Sequence, residues 1–169
     1  MNIIKHQKML PNENWKQTDY YEICCMNEGL GCAFFTTLDK RITDNAVEAI
    51  IYILQRMIIE GECWDETLQQ GINKDNFVRF AISAGYVRHE EGWIASAENF
   101  CQDYQGITGG IISQEKFEIT KNGVKIDDIF LVQKSNILSV ICFDNKWNSI
   151  QYLVETKTEW ALFTWSTGA

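Results

Sequence analysis

The stretch from Glu115 onward constrains the fold most. It contains five runs with a period of two: "KFEIT", "VKIDDIFLVQ", "ILSVICFD", "SIQYLVET" and "EWALFTW". Side chains that alternate in this way mark strands. The runs are separated by "KNG", "KSN", "DNKWN" and "TKT", which are turn sequences. A parallel crossover needs a dozen or more residues, so connections this short impose antiparallel neighbours. The segment therefore reads as a β-meander over about residues 115–165.

The segment before it reads as helical. In "TDNAVEAIIYILQRMIIEG", Thr43, Asp44 or Asn45 can cap the first turn. Val47, Ile50, Ile51, Leu54, Met57 and Ile58 follow the helical period, and Gly61 can end the helix. "CWDETLQQG" is a second helical piece closing on Gly71. "NKDNFVRFAISAG" is a third, capped by Asn73 or Asp75 and stopped by Gly85. "SAENFCQDYQG" is a fourth, with Ser96 as cap and Gly106 as stop. "GITGG" then reads as a bend leading into the sheet, and "YVRHEEGWIAS" as a loop or short hairpin. Earlier still, "YYEICCM" and "GCAFFTTL" are candidate short strands around "NEGLG". The predicted class is α+β: a single domain, residues 1–169, with N-terminal helices (about 42–106) packed on a C-terminal antiparallel β-meander (about 115–165). No linker or low-complexity tract divides the 169 residues.

The terminal strand raises a packing question. In "EWALFTW", Trp160, Leu162 and Thr164 face one way and Ala161, Phe163 and Trp165 the other. Both faces are apolar, and one helical layer covers one face. The second face needs more helix, the N-terminal segment, a curled sheet or a partner. A strand that ends the run is also expected at a sheet edge, where its free backbone groups can pair with another chain.

Cysteine and charge narrow the class. The six cysteines, Cys24, Cys25, Cys32, Cys63, Cys101 and Cys142, form no C-x-x-C pair. "MNIIKHQKMLPNENW" lacks the apolar run of about 7–15 residues that a secretory signal needs. The expectation is a cytoplasmic, membrane-free chain whose six thiols are reduced, most of them small buried hydrophobes. Formal charge is −8. Residues 60–103 hold nine acids against Lys74, Arg79 and Arg88. That sign opposes direct nucleic-acid binding and favours either simple solubility or a basic protein partner.

Catalytic patterns are absent from the sequence. There is no G-x-S-x-G elbow and no phosphate loop, and "GLGCAF" has Phe34 where a dinucleotide loop needs glycine. His89 beside Glu90 and Glu91 is not a zinc pattern, because adjacent side chains diverge. A cysteine paired in space with His89 is the one nucleophile–base arrangement the composition permits. The expectation is no catalytic residue, no metal and no cofactor. "EGECWDE" and "RHEEGW" each set a tryptophan among carboxylates, the composition of an interface anchor with a polar rim, or of core tryptophans flanked by solvated acids. The candidate partner-binding residues are Glu62, Trp64, Asp65, Glu66, Glu90, Glu91 and Trp93.

The layout of residues 42–165, with "GECWDE" and "EWALFTW", resembles bacterial immunity proteins of polymorphic-toxin and contact-dependent growth inhibition systems. That resemblance implies a cytoplasmic protein that binds a toxin domain, often a basic nuclease, and blocks it by covering its active site with an acidic surface. The alternatives are a small enzyme and a regulatory or structural domain that dimerises through its sheet.

Overall fold

The computed structural model describes residues 2–6, 14–25, 31–60, 77–89, 91–113, 117–127 and 133–167. Its α-helices are α1 (Ile3–His6), α2 (Ala46–Glu60), α3 (Phe77–Ser83) and α4 (Ala97–Ile112), with a 3-10 turn at Asn14–Gln17. Its strands are β1 (Asp19–Cys25), β2 (Cys32–Asp39), β3 (Trp93–Ala95), β4 (Phe117–Lys121), β5 (Val124–Lys125), β6 (Ile137–Lys146), β7 (Ser149–Thr156) and β8 (Glu159–Ser166). The class is α+β in one domain. All eight strands join one antiparallel sheet in the order β3-β6-β7-β8-β2-β1-β4-β5.

That order corrects the expected layout of helices first and meander second. The β6-β7-β8 meander forms as expected, with two-residue turns at Trp147–Asn148 and Lys157–Thr158. β1 and β2, however, precede α2, α3 and α4 in sequence and pair into the same sheet. β3 rises between the helices, within the stretch "YVRHEEGWIAS" that reads as a loop or short hairpin. β8 is not an edge strand, because β7 flanks it on one side and β2 on the other. Of "VKIDDIFLVQ", Val124–Lys125 is strand, paired to β4 through the left-handed Asn122–Gly123 turn.

Both faces of β8 are covered by the chain itself. Trp160 and Leu162 pack with Leu38, Phe143 and Leu153 against α2 and α3. Ala161 and Phe163 pack with Phe35, Val140 and Tyr152 against α4. Helix α2 is buried on nearly every side, residues 49–54 included, because the sheet, α1, α3 and the 3-10 turn all pack on it. Its expected stripe is therefore only part of the buried surface. Of its three cap candidates Asn45 takes the role, its Oδ1 accepting the N–H groups of Val47 and Glu48 at 2.9 and 3.1 Å. The indole of Trp160 donates to the carbonyl of Thr43 at 3.0 Å, tying β8 to the start of α2.

Helix α4 departs from expectation at its end. Ser96 caps it, its Oγ accepting from the Asn99 N–H at 3.0 Å. Gly106 does not stop it, and "GITGG" is helical through Ile112. Each interior glycine costs about 1 kcal/mol relative to alanine. Burial of Phe100, Tyr104, Thr108 and Ile111 on one face outweighs that cost. Tyr104 stacks on Phe100 at 5.5 Å and meets Phe163 edge-on at 5.1 Å. Helix α3 does end as read, with Gly85 at φ +82° and the Tyr86 N–H returning to Ala81.

The expectation of six free thiols is overturned at one pair. Cys24 and Cys32 form a disulfide. Antiparallel pairing of β1 with β2 sets them directly opposite with Cα atoms 4.4 Å apart. That spacing belongs to a non-hydrogen-bonded cross-strand pair, whose side chains approach closely. Cys101 and Cys142 are free and buried, as expected of small hydrophobes. No described helix is long and apolar enough to cross a membrane.

Candidate interaction surface

Large apolar side chains reach solvent at the two margins of the sheet. Trp93 is 50% exposed, Ile94 91%, Leu138 56% and Trp147 80%, and all four lie on β3, on β6 or at the turn after β6. Val124, on β5, is the other exposed one among the described residues. A margin this apolar is unusual, because strand edges are normally blunted by charge or by cover.

The local sequence builds the margin in steps. Gln151 on β7 is fully buried and holds the chain after α3. Its Nε2 donates to the Tyr86 carbonyl at 2.8 Å and to Thr164 Oγ1 at 2.9 Å, and its Oε1 accepts from the Arg88 N–H at 3.0 Å. Four residues after Arg88, Gly92 lies so close to β6 that a Cβ would collide with Ile141 and with the Cys142 carbonyl. Glycine thus lets the backbone enter the sheet, and Trp93, Ile94 and Ala95 pair with Cys142, Ile141 and Val140. Alternation turns Trp93 and Ile94 to opposite faces. Ser96 then caps α4 and carries the chain away. β3 is three residues long, and its outer side has no strand partner among the described residues. Before and after those three residues β6 likewise has no strand partner on that side among the described residues.

Of the sequence-derived candidates, Glu91 and Trp93 come together here, both exposed, with the Trp93 ring centroid 6.5 Å from that of His89. Glu62, Trp64, Asp65, Glu66 and Glu90 lie outside the described residues. Ile94, Leu138 and Trp147 were not among the candidates. Trp147 had a readable signal, a tryptophan in the polar turn "DNKWN". Leu138 had none, since it opens an ordinary strand.

A second feature lies across the sheet. Asp19, Asp39 and Glu159 line a cavity of about 530 Å³ with Gln17, Thr37 and Arg41. Asp39 and Glu159 are direct cross-strand partners, an unfavourable like-charge pair. Arg41 forks onto Asp39, and its hydrogen bonds hold that carboxyl below its ordinary range. Lys121 stands 3.8 Å from Asp19. Glu159 has no such ion pair among the described residues. Burial first, then the charges of Asp19 and Asp39, push its carboxyl above the ordinary range. No sequence pattern marked these three acids, because three separate strands bring them together.

Comparison with protein-family models, with curated proteins and with solved structures finds no match to this chain.

Proposed function

We propose that this chain is a binding protein that holds and neutralises a basic protein partner, in the manner of an immunity protein against a nuclease toxin, with the β3–β6 margin as its contact surface. The observation that carries this reading is the exposure of Trp93, Ile94, Leu138 and Trp147 along one margin, beside a strand edge with no strand partner among the described residues. Exposed aromatics supply desolvated anchors, and an open edge can take up a strand of the partner. A formal charge of −8 favours encounter with a basic surface and disfavours direct nucleic-acid contact. The cytoplasm is the proposed place of action, because an immunity protein acts where its producer must be protected.

The test is association kinetics against whatever basic protein domain the neighbouring reading frame encodes. Trp93→Ala and Ile94→Asp should each raise the off-rate about 30-fold, the equivalent of a hot spot of about 2 kcal/mol. Added salt should slow association. Wild-type rates in both variants would remove the margin from the interface.

A second reading, a small enzyme, draws on Glu159. A carboxyl with a raised pKa in an acidic cavity can carry a proton. Glu159→Gln should then abolish a turnover that Trp93→Ala leaves intact.

A further inference from the structure

Glu22, Cys24 and Cys32 place three potential ligand atoms within 4.8 Å of one another, all half-buried. The strands dictate this. Glu22 and Cys24 are two residues apart on β1 and so share a face, and Cys32 stands opposite Cys24 on β2. Glu22 Oε1 reaches to 3.0 Å from Cys24 Sγ. We propose that these residues form a redox-gated site for a soft divalent cation of the zinc type, closed while Cys24 and Cys32 are joined and opened when a thiol reductant separates them.

The chemistry balances. Two equivalents of an external thiol reduce the Cys24–Cys32 bond, become a disulfide themselves and leave two cysteine thiols. Binding the cation then releases one proton from each thiol, and the thiolates bond to the metal. The dimensions suit a tetrahedral centre. With zinc–sulfur bonds of about 2.3 Å and zinc–oxygen bonds of about 2.1 Å, neighbouring ligand atoms lie roughly 3.5–3.8 Å apart. Released sulfurs on a pair with Cα atoms 4.4 Å apart can reach that separation without moving the strands. The carboxylate supplies the third ligand, and water can take the fourth position. Thiolate-rich donor sets select zinc over magnesium or calcium.

This site is independent of the proposed interface, since β1 and β2 lie on the far side of β8 from β3. Its effect would be mechanical. The β1–β2 pairing would be cross-linked by a disulfide in an oxidising setting and by a metal in a reducing one.

The wild-type chain tests this without substitution. The protein is reduced with a phosphine, desalted, and titrated with Zn²⁺ against a chromophoric chelator. The expected result is one zinc per reduced chain and none per oxidised chain. Co²⁺ should give thiolate-to-metal charge-transfer absorption in the reduced chain alone. Cys24→Ser with Cys32→Ser should lose the site, with folding checked by circular dichroism. Cys25→Ser, Cys63→Ser, Cys101→Ser and Cys142→Ser should each retain it. Glu22→Gln should keep the charge-transfer band while weakening zinc at least tenfold. The proposal is overturned by a reduced chain that binds no zinc, by equal binding in the oxidised chain, by binding that survives loss of Cys24 and Cys32, or by a Glu22→Gln affinity equal to wild type.

Discussion

The side-chain oxygen of Gln151 accepts the backbone N–H of Arg88 at 3.0 Å, joining the centre of the sheet to the chain that leads into its apolar margin. Gln151 satisfies three groups at once and is fully buried. Replacing it with leucine keeps the volume but removes the bonds to the Arg88 N–H, the Tyr86 carbonyl and the Thr164 hydroxyl. We expect Gln151→Leu to cost about 2–4 kcal/mol, since each unsatisfied buried group costs roughly 1–3. Urea denaturation measures that loss. Amide exchange at Trp93–Ala95 should accelerate more than exchange in β8.

The glycines of α4 offer the opposite experiment. A Cβ on Gly106 or Gly109 would meet nothing within 4 Å, and neither glycine has a positive φ. Gly106→Ala and Gly109→Ala should each stabilise the protein by about 0.5–1 kcal/mol. Thermal melts would show both midpoints rising. A fall at either position would mean that the glycine serves something other than the helix.

Thiol reactivity should divide the cysteines. Burial pushes the Cys142 thiol up to about 11, and raises that of Cys101 as well. The thiolate is the reactive form, so both should resist iodoacetamide in the native protein at pH 8. Mass spectrometry after brief labelling should find these two unmodified until denaturant is added.

Glu159 predicts a pH effect of definite sign. Its folded pKa lies above the ordinary value of 4.5, so the folded state holds the proton more tightly than the unfolded state. The stability linked to this group is therefore full below pH 4.5 and is lost as pH rises through the raised value. Glu159→Gln should match the wild type at the acid end and exceed it at pH 7. Equal stabilities at both ends would show that burial and the charges of Asp19 and Asp39 do not raise the Glu159 carboxyl in the folded protein.

Elements whose signals are local were legible in the sequence. The hairpins β6-β7 and β7-β8 follow from alternation and short turns, and α2 from its period and its cap at Asn45. Elements set by distant partners were not. The extension of α4 through Gly106, Gly109 and Gly110 depends on what Phe100, Tyr104 and Ile111 touch across the sheet. The central place of β8 depends on β2, and no pattern inside "EWALFTW" names a neighbour. Cys24 and Cys32 escaped notice for the same reason. Their separation of eight residues is no metal or redox spacing, and only the β1–β2 register brings them face to face. At the interaction surface Trp93 and Glu91 were readable from composition, whereas Ile94 and Leu138 are surface residues only because they sit beside an edge.

The insertion of β8 between β7 and β2 has a consequence for synthesis on the ribosome. Trp160 of β8 bonds to Thr43, just beyond the end of β2 and 117 positions earlier in the chain. At about 5–20 residues per second, the early hairpin of β1 and β2 waits on the order of ten seconds before its central neighbour is made. During that interval the inner edge of β2, Phe35 included, has no strand to close it. The nascent chain therefore carries an unpaired apolar edge at what will become the middle of the molecule, where a chaperone, or a second nascent chain on the same message, can reach it first.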